Sequence, residues 1–282
     1  MASHPLIVFG ITGRMGQSLI RALREGSPFA LRAAIASPAS PRLGQECAAE
    51  GPPTGVMITA DAAAALKAAA SKAAGAEPGA VAMDFSVGAA VAAHAQACAQ
   101  AGVPLLVGAT GFDAAAQAEF KRAADKIAVL IAPNTSVGVA VLGELVVRAA
   151  AALGESYDVE IVEAHHRSKR DAPSGTALKL GEAIARQRGR SLEEVAVYAR
   201  YGKDTPGAHG SIGFSVVRAG DIVGEHTVTF AGTGERLEIT HRATDRMTFA
   251  RGALRAAAWL SGRPAGLYDM QDVLRVQKKH GQ

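Results

Sequence analysis

Cysteine is nearly absent. The 282 residues contain only Cys47 and Cys98, which have neither the spacing of a metal site nor a disulfide pattern, so both read as incidental thiols. Also missing is any run of about 18 strongly apolar residues, so no transmembrane segment is expected. The apolar run LIVFG begins at Leu6 and leads straight into a glycine-rich turn. That leaves no room for the basic and cleavable regions of a secretory signal, and the expected location is the cytoplasm. A strong charge excess is lacking too: the net charge is +4 and the basic residues are scattered. Such a balance argues against a nucleic-acid surface and favours a small anionic ligand.

The length suits two domains, and the pattern of apolar runs divides the chain accordingly. Leu6 to Phe9, Leu31 to Ala36, Val81 to Phe85, Leu105 to Val107 and Ile127 to Ile131 are short, continuous and partly β-branched, as buried parallel strands should be. Between them, Met15 to Glu25, Asp61 to Ala74, Ala89 to Gln100 and Ala114 to Lys126 have helical character, the Ala-rich second one stopped by Pro78 and Gly79. This alternation predicts an α/β fold with an N-terminal Rossmann-like, doubly wound parallel sheet over residues 1–134. From 135 to 245 the texture changes: a helix at Val139 to Leu153, a strand at Tyr157 to Ala164, then β-rich runs from VAVYARY onward. RAGD at Arg218 to Asp221 and GTGE at Gly232 to Glu235 read as hairpin turns. A C-terminal α+β domain with a mixed, largely antiparallel sheet is expected, with segment 246–282 returning to complete the first domain.

Directly after the first strand comes GITGRMG, with glycines at 10, 13 and 16. A strand that turns sharply into a helix, lets a pyrophosphate approach and offers it free N–H groups needs glycine at such positions. The spacing is not the commoner G-x-G-x-x-G, and its position within a βαβ unit is what points to a dinucleotide. The second strand runs into AIASPASPR, where Ser37 stands in place of the usual acid that takes the ribose hydroxyls. Without a carboxylate to repel a 2′-phosphate, NADPH is favoured over NADH, with Ser37, Arg14 and Arg42 as phosphate partners. DFS, GATG and APNTS, at the ends of later strands, border the same crevice.

In the second domain, VEAHHRSKRDAPSGTALKLGEAIA crowds two histidines and three further basic residues ahead of a helix start. His165 and His166 point to opposite faces of an extended chain and cannot share one role. Lys169 lies in a loop, and Pro173, favoured in a first helical turn, precedes Ser174, Gly175 and Thr176. Free N–H groups, a hydroxyl and an ammonium together make a carboxylate clamp. Adjacent histidines without a third ligand do not make a zinc site, so no metal is expected.

EAHHRSKRDAPSGTA resembles the signature E-x-H-H-x-x-K-x-D-A-P-S-G-T-A of the 4-hydroxy-tetrahydrodipicolinate (dihydrodipicolinate) reductase family. GITGRMG, VGATGF, APNTSVGV and the stretch from Arg218 to Leu260 are similar to its other segments. The resemblance implies reduction of a cyclic unsaturated dicarboxylate by NADPH or NADH to tetrahydrodipicolinate, a step towards diaminopimelate and lysine. It implies His165 and Lys169 as catalytic residues and His166, Gly175 and Thr176 as substrate contacts. It also implies Gly10, Ile11, Thr12, Gly13, Arg14 and Met15 as phosphate loop, Gly108, Ala109 and Thr110 beside the nicotinamide ribose, and Ala132, Pro133, Asn134 and Thr135 over the nicotinamide. A homotetramer built on the second-domain sheets is implied as well. Hydride delivery builds negative charge in the substrate ring, and Lys169 or His165 could be the acid that meets it. Two other readings are another two-domain nicotinamide-dependent oxidoreductase and a non-catalytic dinucleotide sensor; the histidine–lysine cluster disfavours the sensor.

Overall fold

A computed structural model describes residues 4–73 and 79–275. Ala74 and Pro78, expected at the end of the second helix, lie outside the described residues, as do residues 1–3 and 276–282 of the expected first domain. The elements, in chain order, are β1 (His4–Phe9), α1 (Arg14–Leu23), β2 (Phe29–Ile35), β3 (Ile58–Thr59), α2 (Ala62–Ala73), β4 (Val81–Asp84), α3 (Val91–Ala101), β5 (Leu105–Val107), α4 (Ala114–Ala124) and β6 (Ala128–Ile131). There follow α5 (Val137–Leu153), β7 (Asp158–His165), α6 (Gly175–Gln187), α7 (Leu192–Val195), β8 (Ala196–Val197), β9 (Ile212–Arg218), β10 (Gly224–Gly232), β11 (Glu235–Ala243), α8 (Met247–Leu260), β12 (Gly266–Tyr268) and α9 (Met270–Leu274).

The chain folds into two compact units, Met1–Val137 with Met247–Gln282, and Gly138–Arg246. In the first, seven parallel strands lie in the order β12-β6-β5-β4-β1-β2-β3. Consecutive apolar residues of β1, Leu6 to Phe9, are all fully buried because helices cover both faces of the sheet. Each such side chain contributes roughly 1.5–3 kcal/mol of transfer free energy. Strand order reverses at β1, whose neighbours are β2 and β4; the crevice beyond their carboxyl ends is where this architecture takes ligands. The C-terminal α8 packs on α1 and against β4, β5 and β6.

The second unit carries a five-stranded mixed sheet, β11-β10-β7-β9-β8. β10 is antiparallel to β7 and β11, whereas β9 is parallel to β7 and β8. The parallel pairings arise because helices α6 and α7 follow β7, and a helical crossover returns the chain in its original direction. GTGE does close the β10–β11 hairpin, with Gly234 at φ +81°. RAGD does not make a hairpin of neighbours: β7 lies between β9 and β10. Its turn instead crosses the end of β7, where Ala219 N–H donates to His165 O and Arg167 N–H to Gly220 O; a local turn signal cannot reveal an intervening strand. VAVYARY yields only the two-residue edge strand β8. Helix α5 and the turn after it, Val137–Ser156, are long and apolar enough to cross a membrane by length and composition. Leu142, Val146 and Ala150 on its inward face pack with Val159 and Ile161 of β7.

Candidate active site

The residues singled out in the sequence fall into two groups, one in each unit. In the first unit, Gly10 adopts φ +75°, and a Cβ there would lie 2.6 Å from Phe85 O, so β1 and β4 approach as closely as glycine allows. Gly10 and Ile11 N–H donate to Ile35 O, and Gly13 N–H returns to Gly10 O at 3.0 Å. Gly13 caps α1 with no side-chain bond. The first-turn N–H groups after Gly13, beginning at Arg14 and Met15, are therefore open to an anion, and Arg14 is exposed beside them. Thr12 is half-buried. At the neighbouring strand ends, Gly108 N–H donates to Asp84 O and Ala132 N–H to Val107 O, both at 2.8 Å. A Cβ at Gly108 would overlap the Phe85 ring. Ala109 is buried, Thr110 exposed, and Pro133 and Asn134 half-buried. Thr135 is buried with its hydroxyl donating to Phe249 O at 2.7 Å, which ties this segment to α8. Ser37 is exposed and accepts from Ala39 N–H. Arg42 donates instead to the carbonyls of Glu46 and Cys47.

In the second unit, β7 alternates its faces, so Val159, Ile161, Glu163 and His165 all point inward. Glu163 is fully buried and takes Nδ1 of His165 at 2.6 Å. Arg218, at the end of β9, grips the same carboxylate with two bonds of 2.7 Å. Burial pulls the Glu163 carboxyl upward, but bonds from Arg218, His165 and Ser174 N–H outweigh it and hold it below the usual carboxylate value. Burial pushes His165 below the usual histidine value despite the Glu163 carboxylate beside it. His166 is half-buried, with Nδ1 2.9 Å from Ser168 Oγ. Lys169 Nζ lies 2.8 Å from Asp171 Oδ1.

Ser174, not Pro173, opens α6: its Oγ accepts from Ala177 N–H, and Pro173 stands before the cap rather than in the first turn. A helix start capped in this way leaves Gly175 exposed and Thr176 half-buried at its mouth. His226 Nε2 meets the same Ser174 Oγ at 3.0 Å, and the His165 and His226 rings stand edge to face, 5.2 Å apart. Arg167 and Arg170 are exposed. Among the described residues, no three His, Cys, Asp or Glu side chains gather as a metal site.

Comparison with known proteins decides the family. The chain matches the profile "Dihydrodipicolinate reductase, N-terminus" over residues 4–135 and its C-terminus counterpart over residues 138–274. It is 50% identical to the 4-hydroxy-tetrahydrodipicolinate reductase of Thiobacillus denitrificans, covering 96% of this chain and 98% of that one. The chain belongs to the dihydrodipicolinate reductase family. It is accordingly a nicotinamide-dependent oxidoreductase with a Rossmann-type nucleotide-binding unit. The reductase of Anaeromyxobacter dehalogenans is 49% identical, covering 96% of this chain and 98% of that one. In fold, the chain resembles the dipicolinate-bound dihydrodipicolinate reductase of Paenisporosarcina sp. TG-14, with a TM-score of 0.71 at 22% identity over 96% of this chain and 99% of that one.

Against this family background, Glu163, Arg218 and His226 are the members of the cluster to which motif reading gave no role. A signal for two of them existed. Glu163 shares its buried face with His165 at the spacing of a strand, and His226 alternates with Val228 and Phe230 on β10. Nothing local marks Arg218, which reaches Glu163 across 55 residues of sequence.

Proposed function

We propose that this chain reduces 4-hydroxy-tetrahydrodipicolinate or dihydrodipicolinate to tetrahydrodipicolinate with NADPH or NADH, in the cytoplasm, on the way to diaminopimelate and lysine. The observation that carries the reading is that His165 and the start of α6 bond to Glu163, whose partner Arg218 also holds Asp171 O beside Lys169. When bound, the nicotinamide supplies the hydride. Open first-turn amides of α1 and the glycine cradle at Gly10 suit its pyrophosphate, and Ser37, which adds no charge, suits a 2′-phosphate and favours NADPH.

Within the second unit, Gly175 and Thr176 at the mouth of α6 receive one substrate carboxylate, with His166 and Lys169 as further donors. His165 is neutral near neutral pH, because burial lowers its affinity for a proton. Lys169 is therefore the acid that protonates the ring after hydride arrives, and His165 is an acceptor beside it. On the outer face of the mixed sheet, Val162 and Val217 are exposed beside the linked hydroxyls of Thr227 and Thr240. Covering this face in a homotetramer fits such a surface.

The test is steady-state kinetics of Lys169→Ala and His165→Ala alongside cofactor titration. Turnover falls by about 100-fold or more, while cofactor affinity stays within about twofold, a difference of roughly 0.4 kcal/mol. Normal rates in both variants would overturn the assignment.

A further inference from the structure

Glu163 is the one fully buried acid of the second unit among the described residues, and all four of its bonds come from donors. His165 Nδ1 and Arg218 Nη1 meet Oε2; Arg218 Nη2 and Ser174 N–H meet Oε1. An ionised carboxylate only accepts, so the neutral His165 ring facing it must carry its hydrogen on Nδ1. Its Nε2 is then a bare lone pair. A Cβ at Gly224 would lie 3.1 Å from that Nε2, so glycine at the start of β10 leaves it uncovered. The charged groups around the ring are Glu163, Lys169 and Arg218, with His226 edge-on from β10. Arg218 also donates to Asp171 O at 2.6 Å. The anchor that sets the histidine therefore also holds the part of the loop that follows Lys169, at Asp171 and at Ser174.

We propose that Glu163, clamped by Arg218, is a positioning residue that locks His165 in the Nδ1–H tautomer, with Nε2 as acceptor, and fixes the Lys169 loop to the same point. The proposal rests on the functional reading above for what His165 then does, but its geometry is independent of any reaction. Replacing the carboxylate by an amide sharpens it. In Glu163→Gln the amide NH2 must face donors whichever way it turns. At Oε1 it opposes Arg218 and the Ser174 N–H, neither of which can turn from donor to acceptor. At Oε2 one of its two opponents, His165, can adapt by moving its proton to Nε2. The variant therefore inverts the tautomer.

Nitrogen NMR of the full-length protein labelled in histidine, at pH 8, reads this directly, with the His165 signals identified by their loss in His165→Asn. The expected result is Nδ1–H in the wild type and Nε2–H in Glu163→Gln. Activity of Glu163→Gln falls at least 30-fold in kcat, with the cofactor KM within twofold. Arg218→Lys, which keeps a cation on Glu163, retains the wild-type tautomer with a smaller loss and still reads out if the glutamine variant does not fold. An Nε2–H ring in the wild type, or an unchanged tautomer and kcat in Glu163→Gln, overturns the proposal. Should the tautomers behave as stated while the wild type fails to reduce the dicarboxylate, the functional reading fails and the positioning stands.

Discussion

Ser174 Oγ lies 3.0 Å from Nε2 of His226, joining the cap of α6 to the buried face of β10. His226 is 4% exposed, and its Nδ1 has no partner. Burial, followed by the neighbouring His165, pushes its pKa down to about 4. Because an unfolded histidine titrates near 6.5, the unfolded chain takes up the proton first as pH falls. The stabilisation from neutral His226 is therefore complete above about pH 6.5 and disappears between there and about pH 4, with about 2 kcal/mol gone by pH 5. Urea unfolding at pH 7.5 and pH 5 should show this loss in the wild type and a loss smaller by that amount in His226→Gln. Parallel pH dependences would mean that His226 is not the group responsible.

Gly10 and Gly13 sit in one turn but are not equivalent. Gly10 combines φ +75° with backbone 2.6 Å from where a Cβ would stand; Gly13 has φ −77° and its nearest atom at 3.2 Å. Gly10→Ala should cost about 3 kcal/mol of stability, from left-handed strain and a collision with backbone that cannot move aside. Gly13→Ala should cost about 1 kcal/mol or less. Equal urea midpoints for the two variants would contradict the close approach of β1 to β4.

These two residues also illustrate what could be read in advance. The GITGRMG turn was legible because a strand turning sharply into a helix restricts residue type locally, and the buried runs of β1, β4 and β5 announce themselves by continuous apolar character. The clamp on Glu163 was not, because Arg218 arrives from a strand parallel to β7 and separated from it by two helices. The RAGD turn failed for a related reason: its residues specify a reversal, and only the sheet order shows that β7 lies between the strands it joins.

Lys169 is held by the exposed carboxylate of Asp171 at 2.8 Å. On the proposed reading, a substrate carboxylate competes with that internal anion for the same ammonium. Exposed pairs of this kind are worth at most about 1 kcal/mol. Asp171→Asn should therefore lower the substrate KM by about threefold while leaving the cofactor KM unchanged. A raised substrate KM would indicate that Asp171 shapes the loop rather than competing.

Ser37 leaves the end of β2 uncharged, and its side chain accepts from Ala39 N–H. Aspartate can keep that bond while adding a negative charge where a 2′-phosphate would bind. In Ser37→Asp, the ratio of kcat/KM for NADPH to that for NADH should fall at least tenfold, about 1.4 kcal/mol of discrimination. An unchanged ratio would place the 2′-position elsewhere.

The most direct measurement is a coupled assay that generates the unstable cyclic dicarboxylate in place and follows nicotinamide oxidation with NADPH and NADH side by side. The expected result is rapid oxidation that depends on the dicarboxylate, with the higher kcat/KM for NADPH, and its loss in Lys169→Ala. Cofactor binding without dicarboxylate-dependent oxidation would contradict the assignment of the His165–Lys169 cluster as a reductase site.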